Sequence, residues 1–281
     1  MTALGEPTTS SSVISADGTR IAYDSLGTGD GLIIVGGTLR TGRDYLPLAR
    51  ELAPVFAVHV IERRGRGASG PQGSGYRVER ECEDVLAVQA ATGATVVFGH
   101  SYGGFVALET ARRTSEFSHV VVYDPGVSIA GSIPVDWLPR YRQLLAAGDT
   151  RGAFAVFVRG IGSAPGPVAR LPLWYLRAVL RVSLRGEKWR RMEPLLEASA
   201  NEHEQEARLD DGTVERYQTI QARVLLLGGT KSPTFLTREL FAALQQVVPS
   251  ATVESLTGLD HFAPDEKAPA AIAQHLHSFV C

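Results

Sequence analysis

The hydrophobic positions of this chain alternate between short apolar runs and longer amphipathic segments. Residues 31–35, 55–61 and 95–98 form runs of β-type, largely apolar residues, which is typical of strands buried on both faces of a parallel sheet. Helix-compatible segments separate these runs, and the alternation predicts a parallel sheet covered by helices on both faces. Before them, residues 11–26 predict a hairpin around the turn at Asp17-Gly18.

The alternation stops in the middle of the chain. From 127 to 220 no strand-like run occurs, and helix-compatible segments are separated only by Gly and Pro. We therefore expect an all-α insertion at 127–220 between two segments of one α/β core, 1–126 and 221–281. Strand and helix patterns return after the insertion, with predicted strands at 223–227 and 252–256 and helices at 237–247 and 265–279.

The strand-like run at 95–98 ends in the sequence Gly99-His100-Ser101-Tyr102-Gly103, and a helix-compatible run follows at once. Strand, Gly-x-Ser-x-Gly turn and helix in this order predict a nucleophile elbow. Such a turn presents the Ser101 hydroxyl above the end of the strand, where the first amides of the helix face the group it attacks. The alternative is an ordinary glycine-rich turn with a solvent-facing serine.

Composition and charge narrow the class of protein without naming a reaction. The 281 residues carry a net charge of -2, which gives no reason to expect nucleic acid as a partner. Cys82 and Cys281 predict free thiols rather than a disulfide framework. Neither a signal peptide nor an apolar run long enough to span a bilayer is recognised, so we expect a cytoplasmic protein without a membrane span.

Several segments, taken in order, resemble the α/β-hydrolase fold superfamily. They are a glycine loop beginning at Gly36, an Arg-Arg-Gly-x-Gly segment within 62–69, the elbow at Ser101, a helical insertion after the sixth strand and a late His261. The resemblance implies the α/β-hydrolase fold, with a mostly parallel sheet flanked by helices and an all-α lid. It also implies a serine hydrolase that requires no metal and no cofactor.

The serine needs a base, and histidine suits this task because its pKa lies near neutral pH. Of the seven histidines, His261 follows the last predicted strand, where a short loop can bring it to the carboxyl edge of the sheet. His100 adjoins Ser101 but occupies the variable position of the elbow. Its side chain is therefore expected to point away from the attacking face.

The acid that orients the histidine departs from the commonest pattern of the superfamily, which places it after the seventh strand. This chain has Ser232 where that carboxylate would be. A variant of the superfamily places the acid after the sixth strand, where Asp124 stands, so Asp124 is the predicted acid. Alternatively Asp124 only begins a turn, with Asp260 as the acid or a dyad assisted by Ser232.

An anionic tetrahedral intermediate needs at least two hydrogen-bond donors. The backbone amides of Tyr102, directly after the serine, and of Thr38, in the glycine loop, are predicted to supply them. Leu39, Trp137 and Trp174 are candidate substrate contacts. Arg63, in contrast, is predicted to brace the turn after its strand through hydrogen bonds to carbonyls.

The insertion also carries a basic run, whose members are Arg170, Arg177, Arg181, Arg185, Lys188, Arg190 and Arg191. Most simply, these residues form a solvated helix face. They could instead attract an acidic substrate, a carrier protein or an anionic interface.

Together these patterns predict a serine hydrolase, monomeric or homodimeric, that cleaves an ester, thioester or lactone of a small acyl substrate. Two alternatives stay open. One is a lyase or cyclase that uses the same triad, and the other is a ligand-binding receptor with vestigial turnover.

Overall fold

The fold is taken from a computed structural model, which describes residues 8–161 and 171–281. One eight-stranded sheet runs in the order β1-β2-β4-β3-β5-β6-β7-β8. The first two strands pair antiparallel, as do β2 and β4, and every other neighbouring pair is parallel. The strands are β1 (Thr9–Ile14), β2 (Arg20–Leu26), β3 (Asp30–Val35), β4 (Phe56–Glu62), β5 (Val96–His100), β6 (His119–Tyr123), β7 (Arg223–Gly229) and β8 (Ala251–Leu256).

Helices flank this sheet, as the alternation of the sequence predicts. The α-helices that the structure describes are α1 (Leu46–Leu52), α2 (Val78–Thr92), α3 (Tyr102–Ala111), α4 (Leu138–Ala146), α5 (Thr150–Gly160), α6 (Leu173–Ser183), α7 (Glu187–Met192), α8 (Leu196–Arg208), α9 (Arg238–Val247) and α10 (Pro269–Val280). The predicted hairpin is confirmed by β1 and β2. The predicted last helix is divided, because a π-helical turn, Ala263–Lys267, precedes the α-helix that begins at Pro269.

The central strands are apolar because both of their faces are covered. Residues of β3, β5 and β6 such as Ile34, Phe98 and Val121 are fully buried in one core with side chains of α1 and α10. Burial of this kind contributes on the order of 2 kcal/mol for each large apolar side chain. The core therefore holds the carboxyl ends of the neighbouring strands at fixed positions.

The chain divides into two compact units, one up to Val127 and from Thr213 onward, the other Ser128–Gly212. The sheet unit includes residues 213–220, which the hydrophobic pattern grouped with the insertion. Their short helix, Glu215–Thr219, packs with the sheet unit because Tyr217 is fully buried and Arg216 pairs with the buried Glu109 at 3.1 Å.

The described part of the second unit is helical and has its own aromatic core. The indole of Trp137 packs edge-on against the rings of Tyr141, Phe157 and His203, at centroid distances of 5.1 to 5.3 Å. At the start of this unit, the Asp210 carboxylate accepts hydrogen bonds from the hydroxyl of Ser128 and from two loop amides. These contacts join the first and the last segments of the unit.

Basic residues of the second unit are mostly exposed. Arg177 pairs with Asp149, Arg191 pairs with Glu187, and Arg185, just after α6, donates to the carbonyl of Val182 at the end of that helix. Arg170, which belongs to the predicted basic run, lies outside the described residues. Among residues 8–161 and 171–281, no helix is both long enough and apolar enough to cross a membrane.

The sheet topology brings distant segments of the chain to one edge. Strands β5, β6 and β7 are adjacent and parallel, with His100 opposite Tyr123 and Tyr123 opposite Leu227. Ser101 and Asp124 are the first residues beyond their strands, so they emerge side by side at the carboxyl edge. The loop after β8 reaches the same edge and carries His261.

Candidate active site

Ser101 lies in a sharp turn between β5 and α3. Its backbone has φ 55° and ψ -124°, a conformation that non-glycine residues rarely adopt and that the surrounding structure must impose. The turn requires glycine nearby, because a Cβ on Gly103 would lie 2.1 Å from the carbonyl oxygen of Val35. The close approach of helix α3 to strand β3 therefore explains the Gly at this position of the elbow.

His261 stands between the serine and a buried carboxylate. Its Nε2 lies 3.1 Å from Ser101 Oγ, and its Nδ1 lies 3.1 Å from Asp124 Oδ2. The Asp124 side chain is fully buried, whereas 23% of the imidazole surface is exposed. The arrangement can take the hydroxyl proton on Nε2 while the carboxylate holds the proton on Nδ1.

Asp124 is held by contacts from two further segments. Its backbone N–H donates to Leu227 O at 2.9 Å, and the hydroxyl of Ser232 donates to Oδ2 at 2.5 Å. The second carboxylate oxygen, Oδ1, is buried and meets no hydrogen-bond partner within the described part of the chain. Ser232 therefore lies beside the carboxylate rather than in its place.

Asp260, the alternative acid, contacts groups other than the imidazole of His261. Its carboxylate pairs with Lys267 and accepts from the N–H of Phe262, while its carbonyl accepts from the hydroxyl of Tyr123 at 2.8 Å. The pKa of Asp260 is lowered by its hydrogen bonds to Lys267 and Phe262, against a raising effect of partial burial. These bonds keep the loop in shape but do not involve the imidazole nitrogens of His261.

The glycine loop after β3 lies against Ser101. A Cβ on Gly37 would be 3.1 Å from Ser101 Cβ, so the loop backbone passes directly beside the serine. The Arg63 guanidinium donates to the carbonyls of Gly36 and Gly37 at 3.1 and 3.2 Å. Because a trans peptide directs its C=O and N–H oppositely, the Gly37 carbonyl bound to Arg63 turns the Thr38 amide away from the guanidinium.

Arg63 itself is a buried residue fixed by Glu81, with two contacts of 2.6 Å. The predicted guanidinium–carbonyl hydrogen bonds are present, but the carbonyls that Arg63 reaches belong to the glycine loop instead of the turn after its own strand. The hydroxyl of Thr38 is buried and has no hydrogen-bond partner among the residues described. Tyr102, the other predicted donor, is the first residue of α3, where backbone amides point toward the start of the helix.

The role of His100 is not evident from the sequence. Its ring is 2% exposed and lies between two segments of the site: Nδ1 is 2.7 Å from the Tyr45 hydroxyl, and Nε2 is 2.8 Å from the carbonyl oxygen of His261. Burial lowers the pKa of His100 well below the usual value, so the ring is neutral near pH 7. The only sequence signal was its position next to Ser101.

A further cation joins the glycine loop to the histidine loop. Arg40 pairs with the buried Asp265 and, at 3.0 Å, with Glu266, and its guanidinium lies 5.5 Å from the centre of the Phe262 ring. Burial raises the pKa of Asp265, and the Arg40 charge opposes this effect. Both loops are therefore tied to each other as well as to the sheet.

The predicted substrate contacts lie in different surroundings. Leu39 follows the Thr38 amide, is 7% exposed and has a left-handed backbone with φ 56°. Trp137 is packed in the core of the helical unit, and its Nε1 donates to Pro134 O at 2.7 Å. Trp174 is 71% exposed. Their contact with substrate stays a prediction.

Within residues 8–161 and 171–281, no group of three or more His, Cys, Asp or Glu side chains is arranged to hold a metal ion. That the reaction requires no cofactor stays a prediction from the resemblance.

Comparison with known proteins gives matches to one fold. Residues 32–275 match the model of the alpha/beta hydrolase family. The crystal structure of an alpha/beta hydrolase from Sphaerobacter thermophilus is 31% identical, with a TM-score of 0.79, and the match covers 96% of this chain and 100% of that one.

Curated relatives match over shorter stretches. A 2-heptyl-3-hydroxy-4-quinolone dioxygenase of Rhodococcus erythropolis is 29% identical over 140 residues, 47% of this chain and 51% of the relative. A pimeloyl-(acyl-carrier protein) methyl ester esterase of Xanthomonas campestris is 33% identical over 88 residues, 31% of this chain and 34% of the relative. The chain thus aligns with about half of the first relative and a third of the second.

Proposed function

This chain belongs to the alpha/beta hydrolase family, and from that premise we propose that it is a serine hydrolase which cleaves an ester, thioester or lactone. The observation that carries the proposal is the continuous contact from Ser101 Oγ through the imidazole of His261 to Asp124, with two distances of 3.1 Å. A serine hydroxyl is a weak nucleophile at neutral pH until a base within hydrogen-bond reach removes its proton.

In the proposed reaction, Ser101 Oγ attacks the acyl carbon while Nε2 of His261 takes the hydroxyl proton. Asp124 stabilises the imidazolium that forms and holds the proton on Nδ1. The backbone amides of Thr38 and Tyr102 donate to the oxyanion of the tetrahedral intermediate. The imidazolium then protonates the leaving group, and water releases the acyl group from Ser101 by the same steps.

We further propose that the helical unit acts as a lid that selects the acyl group. In the chain it is inserted between β6 and β7, whose carboxyl ends carry Asp124 and the segment with Ser232. The esterase relative acts, by its name, on a methyl ester attached to a carrier protein, which supports a small acyl substrate, acidic or carrier-linked, for this chain as well. The location in the cytoplasm and a monomeric or homodimeric state stay predictions.

The direct test is a fluorophosphonate probe followed by mass spectrometry of the modified peptide. We expect covalent labelling at Ser101, and we expect it to be lost in the variant His261→Ala because the hydroxyl then lacks its base. Ser199, a fully buried serine in the helical unit, is an internal control that should stay unlabelled. A wild-type protein whose Ser101 is intact after long exposure would contradict the proposal and favour a binding protein.

The match to a dioxygenase supports a second candidate, a reaction without hydrolysis. In such a reaction His261 would abstract a proton from the substrate rather than from Ser101. The two candidates differ in their products: hydrolysis consumes water and releases an acid and an alcohol or thiol, whereas a dioxygenase consumes O₂. Oxygen uptake that survives Ser101→Ala would favour the second candidate.

A further inference from the structure

A chain of hydrogen bonds passes through His100 and ends at two backbone groups of the site. At one end, the N–H of Gly37 donates to the Tyr45 hydroxyl oxygen at 2.8 Å. That hydroxyl is 2.7 Å from Nδ1 of His100, and Nε2 of His100 is 2.8 Å from the carbonyl oxygen of His261. The glycine loop and the backbone of the base are thus joined through one imidazole.

The chemistry of each partner fixes where the protons lie. A carbonyl oxygen only accepts, so Nε2 of His100 carries the proton that it donates to His261 O. The buried ring is neutral, and its Nδ1 therefore accepts the hydroxyl proton of Tyr45. The hydroxyl oxygen in turn accepts the N–H of Gly37. Every donor has one acceptor, and the other neutral tautomer would break the bond to His261 O, because an unprotonated Nε2 and a carbonyl oxygen are both acceptors.

We propose that His100 is a positioning residue that fixes the glycine loop and the backbone of the catalytic histidine, His261, relative to each other. The inference rests on the proposed function, because it assigns His100 to the reaction of Ser101. Ser101, the next residue in sequence, attacks the substrate. The His100 side chain meanwhile fixes the glycine loop, through Tyr45, on one side and the backbone of His261 on the other.

Two features make the relative position of the glycine loop and His261 important for the rate. The Gly37 backbone passes beside Ser101, so a loop that moves away from Tyr45 also moves the Thr38 amide relative to the oxyanion. The imidazole of His261 contacts its two partners at 3.1 Å, and a shift of its backbone alters the geometry of both contacts. Misplacement of about 1 Å costs on the order of 100-fold in rate.

Tyr123 provides a comparison, because its hydroxyl donates to the carbonyl of Asp260, the peptide group before His261. The residue that precedes the acid and the residue that precedes the nucleophile thus each hold one carbonyl of the histidine loop. The Tyr123 hydroxyl holds the histidine loop and also interacts with Ser232, whereas His100 links the histidine loop to the glycine loop through Tyr45. Loss of the Tyr123 hydroxyl should therefore affect the rate less than loss of the His100 ring.

The test compares variants that remove one or both links. His100→Leu removes both, His100→Gln keeps a donor for His261 O, and Tyr45→Phe breaks the link to Gly37. Hydrolysis of p-nitrophenyl butyrate is measured for each variant, with kcat expressed per active site counted by fluorophosphonate labelling. We expect His100→Leu to lower kcat about 30- to 100-fold with KM changed less than about 3-fold, and the other two variants to fall between it and the wild type.

A purely structural role for His100 predicts a different pattern. His100→Leu would then lower the melting temperature and the number of labelled sites, but each labelled site would turn over at the wild-type rate. That result would overturn the inference. A kcat for His100→Gln no higher than for His100→Leu would also overturn the assigned contact with His261.

Failure of the proposed function can be distinguished from failure of this inference by ¹⁵N NMR of the imidazoles, which needs no substrate. The wild-type protein should show His100 as the neutral tautomer protonated at Nε2, and His100→Leu should shift both nitrogen resonances of His261. A wild type that does not react with the probe would refute the serine hydrolase. Unchanged His261 resonances in His100→Leu, or a His100 tautomer protonated at Nδ1, would refute the positioning role.

Discussion

Replacing Asp124 by Asn tests the electrostatic core of the proposed mechanism. The substitution keeps the shape of the side chain, and the amide oxygen can still accept from Ser232 and from Nδ1 of His261. What is lost is the negative charge 3.1 Å from the imidazolium that forms during the reaction. At an effective dielectric constant of about 20, the attraction between these charges is about 5 kcal/mol.

Since each 1.36 kcal/mol corresponds to tenfold in rate, the loss of this charge should lower kcat by about 10³- to 10⁴-fold. The assay is p-nitrophenyl butyrate hydrolysis at pH 8, with melting temperature measured alongside to show that the variant is folded. Asp260→Asn is the matched control, because its carboxylate binds Lys267 and the N–H of Phe262 instead of the imidazole. We expect that control to stay within about 10-fold of the wild type, in line with a one-sided loosening of the loop. A folded Asp124→Asn enzyme within tenfold of the wild type would refute the reasoning, and a greater loss in Asp260→Asn would move the role to that residue.

Three further predictions concern neighbouring positions. Adding Ser232→Asp to Asp124→Asn should raise kcat at least about tenfold over the single variant, because position 232 lies against the carboxylate that serves the imidazole; no gain in kcat would contradict this. The folded-state pKa of His100 is lowered, so below about pH 6.5 the unfolded chain binds a proton that the folded chain does not. The free energy of unfolding therefore decreases as the pH is lowered, by up to about 1.4 kcal/mol per pH unit. Urea unfolding between pH 5 and 7 should show this part of the slope missing in His100→Gln, and equal slopes would count against it. Gly103→Ala should destabilise the fold by about 1–3 kcal/mol or more, because the added Cβ meets a carbonyl of β3, and an unchanged urea midpoint would disprove that contact.

Much of the fold, and most of the candidate residues, could be predicted from local sequence patterns. Apolar runs of strand type predict the sheet because strands covered on both faces need no polar side. The Gly-x-Ser-x-Gly turn at Ser101 is readable because its neighbours must be small where α3 approaches β3. Boundaries were less predictable: residues 213–220 pack with the sheet unit through Tyr217, and the burial of one tyrosine has no signature in a helical pattern.

Choosing between the two carboxylates required tertiary structure. Asp260 adjoins His261 in sequence, yet the carboxylate at its imidazole is Asp124, which is 137 positions away along the chain. The strand order of the sheet decides this, because β6 is adjacent to β5, and Asp124 and Ser101 follow directly after these two strands. The sequence narrowed the acid to a few positions, and the geometry favours one.

Sequence alone determined which residue types could perform the chemistry, since an elbow serine, a late histidine and a carboxylate after a strand are each marked by their immediate neighbours. Only the tertiary structure decided how these groups are held. Arg63 reaches the carbonyls of Gly36 and Gly37, and His100 reaches the carbonyl of His261, across 26 to 161 positions of sequence. A side chain that binds a distant backbone carbonyl leaves no local pattern, because every residue has that carbonyl and the fold alone selects which one it meets.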